Sequence, residues 1–333
     1  MLIILKKKKL LIELAFLALL LLPLAGFGIS LTRPLGDGKN ARIFDFAEGY
    51  SLRKFAGELE SSGIIPSARL FVIYARVRGD DAKVKAGSYQ FSDGLSPAEI
   101  LRRMVAGEIF AYRFTVPEGY SIYQIAELLE SHGIFKKEAF LKQCFNRALL
   151  KELGINGRSV EGYLFPSTYS IPPTMNEEGL IRMMVGQFDK VYGRRFADRL
   201  TSLGISRREV MTLASMIEKE AIIPAERPLI ASVFRNRLKR GMPLQSDPTA
   251  VYGFRAFAGK VSKQDILRQS PYNTYLIQGL PPGPIGNPGS QAIEAAMAPA
   301  ATPYLYFVAK KDGSHFFSVT LEEHNRAVRR YLR

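Results

Sequence analysis

Residues 44–65 read FDFAEGYSLRKFAGELESSGII, and residues 114–135 read FTVPEGYSIYQIAELLESHGIF. The two segments agree at 11 of 22 positions with a constant offset of 70, so the chain repeats a structural unit. In each copy a short alternating run (Phe44 and Phe46; Phe114 and Val116) predicts a strand, Glu-Gly a turn, and Ser51 or Ser121 the cap of a helix. Leu52, Phe55, Ala56 and Leu59 supply that helix with an apolar stripe, repeated as Ile122, Ile125, Ala126 and Leu129, and Gly63 and Gly133 end it. Further along, ILRRMV at 100–105 matches LIRMMV at 180–185, now at an offset of 80, as though the second copy carried a ten-residue insertion. The first of these helices starts with Ser96 as N-cap, Pro97 at the first helical position and Glu99 completing a capping box, and Gly107 closes it. The insertion would hold EGYLFPSTY at 161–169, either a site element or a buried aromatic cluster, with Tyr169 as its candidate binding residue.

Ahead of the repeats, Lys6 to Lys9 precede 18 uncharged residues from Leu14 to Leu31. That pattern predicts a membrane-spanning helix over 10–31, a cytoplasmic tail at 1–9 and export of everything beyond. A cleaved signal peptide is the rival, but Leu24-Ala25-Gly26-Phe27-Gly28 fits a small-x-small cleavage site poorly. The chain of 333 residues has 46 Lys and Arg against 31 Asp and Glu, a net charge of +15. Export directs that charge away from nucleic acid and toward lipid headgroups or a cell-wall polymer. At 47% hydrophobic and 23% charged residues the composition is globular, and the length supports more than one core. A single cysteine, Cys144, excludes an intrachain disulfide, a multi-cysteine zinc site and an iron–sulfur cluster.

The chain has no GxxxxGK[ST] loop, no GxSxG elbow and no HExxH, and its three histidines are isolated in sequence, which leaves carboxylates as the candidate catalysts. The richest stretch runs from Ser206 to Gly253. Ser206 and Glu209 form a capping box, and Val210, Leu213, Ala214 and Ile217 form a buried stripe. At 100° per residue, Glu218 falls about 90° to one side of that stripe and Glu220 about 70° to the other, so they do not make a side-by-side pair. Each sits at the border of core and solvent, where desolvation raises a carboxyl toward general-acid use. A second helix follows, with Pro228 in its first turn and Gly241 at its end. Gln245, Ser246 and Asp247 in LQSDPT, and Asn273 and Tyr275 in SPYNTY, are loop polar groups suited to sugar hydroxyls or, equally, to turn chemistry.

The wording SMIEKEAIIPAERPLIASVFRNRLKRGMPLQSDPTAVYG, with SPYNTY at 270–275, GLPPGPIGNPG at 279–289 and TPYLYFV at 302–308, resembles the YceG-like family of endolytic murein transglycosylases in order and spacing. The repeats at the front resemble wall-binding LysM modules. The resemblance implies an α+β fold: an N-terminal transmembrane helix, a linker at 32–41, a LysM-like module at 42–110, and a catalytic region at 111–333. Within that region the second repeat copy spans 111–190, and the catalytic helix and cleft span 200–333. It also implies a lytic transglycosylase, a lyase at the outer face of the inner membrane, cutting nascent peptidoglycan strands to 1,6-anhydro-muramic ends. Glu218, the first Glu of Glu-Lys-Glu, would protonate the glycosidic oxygen and then, as carboxylate, assist the muramoyl 6-hydroxyl. Glu220, Gln245, Ser246, Asp247, Asn273, Tyr275 and Tyr169 are the expected substrate contacts. The resemblance implies no metal or cofactor and no nucleic-acid partner, and it makes glycan synthases of the same membrane candidate partners. Two other functions compete: a wall-binding scaffold without catalysis, and a hydrolase pairing Glu218 with Glu226 or Asp247. A Glu218 buried in an ion pair away from any cleft would sink the catalytic reading.

Overall fold

The computed structural model describes residues 16, 19, 21, 22, 25–255 and 261–332, with only the backbone of 194 and 195. The cytoplasmic tail and half of the expected membrane span lie outside the described residues. Among those described, no helix is long and apolar enough to cross a membrane. The fold is mixed α and β with three two-stranded sheets among the described residues. The chain divides into two compact units: residues up to Tyr112 with Pro172–Thr174, and Arg113–Ile171 with Met175–Arg333.

The first unit follows the order β1 (Ala41–Phe46), α1 (Leu52–Ser61), α2 (Ala68–Val77), β2 (Gly87–Ser92) and α3 (Pro97–Ala106). β1 pairs antiparallel with β2, Ala41 opposite Ser92 and Phe46 opposite Gly87. Alternation puts Phe44 and Phe46 on the inner face, where they join Phe55, Phe71, Tyr89, Phe91 and Ile100 in one core. Each large side chain buried there contributes roughly 1.5–3 kcal/mol. Ser51 accepts the Lys54 N–H at 3.3 Å to start α1, and beyond its end Gly63 takes a left-handed turn that lets the Ile64 N–H reach the Leu59 carbonyl at 2.9 Å. At α3 the expected capping box is only half made. Ser96 accepts the Glu99 N–H, but the Glu99 carboxylate is held by Arg102 and Arg103, its neighbours one turn on.

The second unit opens with the same order: β3 (Tyr112–Thr115), α4 (Ile122–Ser131), α5 (Lys137–Cys144), then β4 (Thr168–Ile171) paired with β3, then α7 (Glu177–Leu203). A short helix, α6 (Arg147–Glu152), and a loop intervene before β4. The offset changes from 70 to 80 in this interval, so Tyr169 of β4 answers Tyr89 of β2. Both rings are buried, and each hydroxyl donates to the carbonyl four residues back, Tyr89 to Lys85 and Tyr169 to Phe165.

The remainder holds α8 (Arg207–Glu220), a 3-10 turn at Pro224–Glu226, α9 (Arg227–Lys239), the short α10 (Asp247–Val251) and α11 (Lys263–Leu267), α12 (Ser290–Met297), a hairpin of β5 (Tyr306–Ala309) and β6 (His315–Ser318), and α13 (Leu321–Tyr331). α8 packs on α9 and α12, whose Ala292, Ala295 and Ala296 let the helix axes approach closely. α8 is buried over more of its circumference than one stripe: Met211, Thr212, Ser215 and Met216 are inside, whereas Leu213 is half-buried. A helix sunk this deep carries its last turn, Glu-Lys-Glu, to the edge of the core rather than into open solvent.

Candidate active site

Both halves of the Ser206–Glu209 capping box form, fixing the start of α8 and hence the directions in which Glu218, Lys219 and Glu220 leave its far end. Each meets a different neighbourhood. Glu218 Oε1 accepts from Arg227 Nη2 at 3.0 Å, and Oε2 accepts the Gly289 N–H, also at 3.0 Å. The two charged side chains are 8% and 9% exposed, so this is a buried ion pair. Arg227 is itself fixed by Gln291, Nη1 to Oε1 at 2.7 Å.

Beside this pair stands a carboxyl that the sequence reading passed over as a turn residue. Glu118 is exposed and opens the Glu-Gly-Tyr-Ser turn of the second repeat copy. Its carboxyl lies against Gly289: a Cβ on that glycine would collide with both carboxyl oxygens. Partial burial and the Glu218 charge push Glu118 upward from the ordinary carboxyl range, with Arg227 opposing. The turn is knit to the Gly-Pro-rich loop. Gly119 donates its N–H to the Asn287 carbonyl at 2.7 Å, and Asn287 returns its own N–H to the Tyr120 carbonyl at 2.9 Å. At Gly286 a Cβ would sit 2.6 Å from the Gly119 carbonyl oxygen, so the approach needs glycine. The Gly-Pro-rich loop is thus buried from 283 to 289 and clamps the Glu118 turn.

Lys219 leaves α8 on another side. Its Nζ donates to Gln124 Oε1 at 3.4 Å, and burial pushes its ammonium down. It lines a cavity of about 200 Å³ with Tyr123, Gln124, Tyr252 and Phe254. Behind it Glu161, the first residue of EGYLFPSTY, is fully enclosed. It accepts from the Ile122 N–H at 3.1 Å, Tyr252 Oη at 2.8 Å and Asn287 Nδ2 at 3.0 Å, yet burial still pushes it up to about 7. Asn287 also accepts the Leu164 N–H at 2.9 Å, tying the inserted segment to the loop.

Glu220 takes the third direction. Ser246 Oγ donates to it at 2.6 Å, and burial, with Asp247 adding to it, pushes it up to about 7. Several expected contacts gather here: Asp247 accepts from Tyr275 Oη, and Arg237 Nη1 reaches Gln245 at 3.4 Å and the Leu244 carbonyl at 2.9 Å. Gln245 is exposed and left-handed at φ 50°, the one non-glycine residue so strained among those described. Asn273 is wholly buried, its amide donating to the Ile266 and Arg268 carbonyls and its oxygen accepting the Tyr275 N–H, which is turn chemistry. Tyr169 is buried and spends its hydroxyl within its repeat, on the Phe165 carbonyl. Glu226 is engaged too, its carboxylate receiving the His315 N–H at 3.0 Å and facing His315 Nδ1 at 2.7 Å.

Glu218, Glu220 and their partners therefore form two separate groups on either side of one helix end, as the angular reading requires. A family model, described as the YceG-like family, matches residues 44–330 of this chain. The chain belongs to the YceG-like family. An endolytic murein transglycosylase of Bacillus subtilis (strain 168) is 33% identical over 323 residues, 92% of this chain and 89% of that protein. One of Streptococcus pneumoniae serotype 2 is 31% identical over 317 residues, 86% of this chain and 57% of that longer protein. A 2.6 Å crystal structure of a YceG-like protein from Listeria monocytogenes superposes with a TM-score of 0.61 at 34% identity, covering 87% of this chain and all of that one. As a YceG-like protein the chain is an enzyme, a lytic transglycosylase of the lyase class. Sequence reasoning missed Glu118, Arg227, Glu161 and Asn287 around its helix end. Glu161 and Asn287 lay in segments already singled out, and Arg227 carried a signal of its own, being a cation at the first position of a helix, where the dipole disfavours it unless an anion stands near.

Proposed function

We propose that this YceG-like enzyme cuts the bond between N-acetylmuramic acid and N-acetylglucosamine within nascent peptidoglycan strands, leaving 1,6-anhydro-muramic ends and ending strand growth. The observation that carries the reading is the Glu218 carboxyl, gripped on one oxygen by Arg227 and on the other by the Gly289 N–H. The ion pair reaches solvent through its neighbour Glu118, which is exposed and lies against Gly289, whereas the tyrosine-walled cavity lined by Lys219 opens on another side of the helix. A carboxylate so held is oriented to take the proton of the muramoyl 6-hydroxyl as that oxygen attacks the anomeric carbon, and the two donors stabilise its charge. Strained Gln245, with Asp247 and Tyr275, is the polar group offered to the sugar on the Glu220 side. Lys6 to Lys9 ahead of an uncharged run support a single-pass anchor in the cytoplasmic membrane, with the enzyme on the outer face beside glycan synthases and the LysM-like repeats toward the wall.

Purified full-length protein in detergent, incubated with sacculi and analysed by mass spectrometry, is expected to release anhydro-muramic products, and Glu218→Gln to release none. If both proteins bind sacculi and neither releases product, the scaffold reading replaces this one. Reducing ends in place of anhydro ends would select hydrolysis.

A further inference from the structure

We propose that Glu118 is the general acid of this site and Glu218 its base, so that the reaction divides between two carboxyls flanking Gly289. The inference rests on the transglycosylase reading above and changes its proton chemistry. Both Glu218 oxygens are engaged, one by the Arg227 guanidinium and one by the Gly289 N–H, which fixes the direction of that carboxyl and leaves it no proton of its own to offer along those contacts. Glu118 is the opposite case: exposed, set beside another carboxyl, and accepting no hydrogen bond from any described residue. The groups that face it are Glu218 from α8, Arg227 from α9 and Tyr192 from α7, with Glu294 of α12 near that phenol. Of these, Glu218 and partial burial favour the protonated form of Glu118, and only Arg227 opposes them.

In this scheme Glu118 gives its proton to the glycosidic oxygen as the bond from the anomeric carbon to that oxygen breaks. The 6-hydroxyl oxygen closes on the same carbon, and its proton passes to Glu218. One proton leaves the pair and one enters, no water is consumed, and transfer from Glu218 to Glu118 resets the site. The geometry depends on residue 289 having no side chain. Its φ of −76° suits any residue, so alanine there displaces the flexible Glu118 side chain without straining the backbone.

The test compares full-length wild type, Glu118→Gln, Gly289→Ala and Glu218→Gln on two substrates, glycan strands and a muramyl glycoside with a 2,4-dinitrophenyl leaving group that needs no acid. On strands, Glu118→Gln and Gly289→Ala are expected to lose about 10²-fold or more in kcat. On the activated glycoside both regain near wild-type rates while Glu218→Gln stays inactive, and the alkaline fall of the wild-type pH profile vanishes in Glu118→Gln. Equal losses on both substrates, or no loss on strands, overturn the inference and leave the transglycosylase reading standing. Glu118→Asp, which keeps an acid, should recover part of the strand activity, and its failure to exceed Glu118→Gln counts against the inference. Wild type that makes no anhydro ends overturns the underlying reading instead.

Discussion

Arg227 is the residue on which the site turns, because it holds a charge that the core would otherwise reject. It is buried with Glu218, and removing one member of a buried pair leaves the other uncompensated. Arg227→Gln is therefore expected to cost roughly 3–5 kcal/mol in urea denaturation and to abolish anhydro-product formation. Arg227→Lys should rescue little, since an ammonium does not reproduce the fork that reaches both Glu218 and Gln291. The sequence made Glu218 legible as a helix-border acid but not its partner, for a plain reason. Angular placement on one helix tells where a side chain leaves, whereas Arg227 and Gly289 arrive from other segments. Polar residues on loops were read less well, because Asn273 spends its amide on neighbouring carbonyls in a way no pattern distinguishes from ligand binding.

At the scale of elements, the duplication was the most readable feature. Strand, turn, cap and left-handed glycine recur because each is set by residues within a few positions of one another. The exception at Ser96 and Glu99 has the same cause, since Arg102 and Arg103 lie one helical turn away and compete for the carboxylate. Tyr169 looked like a site residue until its counterpart was in view. As the repeat partner of Tyr89 it closes a carbonyl four residues back, a bond that pattern reading alone does not reveal. Tyr89→Phe and Tyr169→Phe are each expected to cost about 0.5–1.5 kcal/mol by removing a part-buried hydrogen bond, with Tyr169→Phe retaining wild-type kcat once folded. A loss of turnover in folded Tyr169→Phe would return it to the substrate contacts.

For the whole molecule, the two enclosed carboxyls set the pH response. Glu161 and Glu220 are both raised by burial from 4.5 to about 7, so the folded state binds more protons than the unfolded chain between those values. Stability from these groups is full below about pH 4.5 and is lost as pH rises through 7. At 1.36 kcal/mol per pH unit this is on the order of 3 kcal/mol per group. Thermal melts are expected to show Tm falling from pH 5 to 8, with a flatter profile in Glu161→Gln and Glu220→Gln, and an unchanged slope in both would remove these groups as the cause.

The clamp between Asn287 and the Gly119–Tyr120 turn joins chain positions 167 residues apart. A polypeptide grows from its N-terminus, so helix α8 and its Glu218 are finished well before the segment that orients them. A copy cut short between Glu220 and Gly289 carries the Glu-Lys-Glu sequence but lacks the N–H on Glu218 and the brace under Glu118. Reactivity therefore waits on the segment through Gly289, and a copy truncated in that interval is expected to release no anhydro product from sacculi.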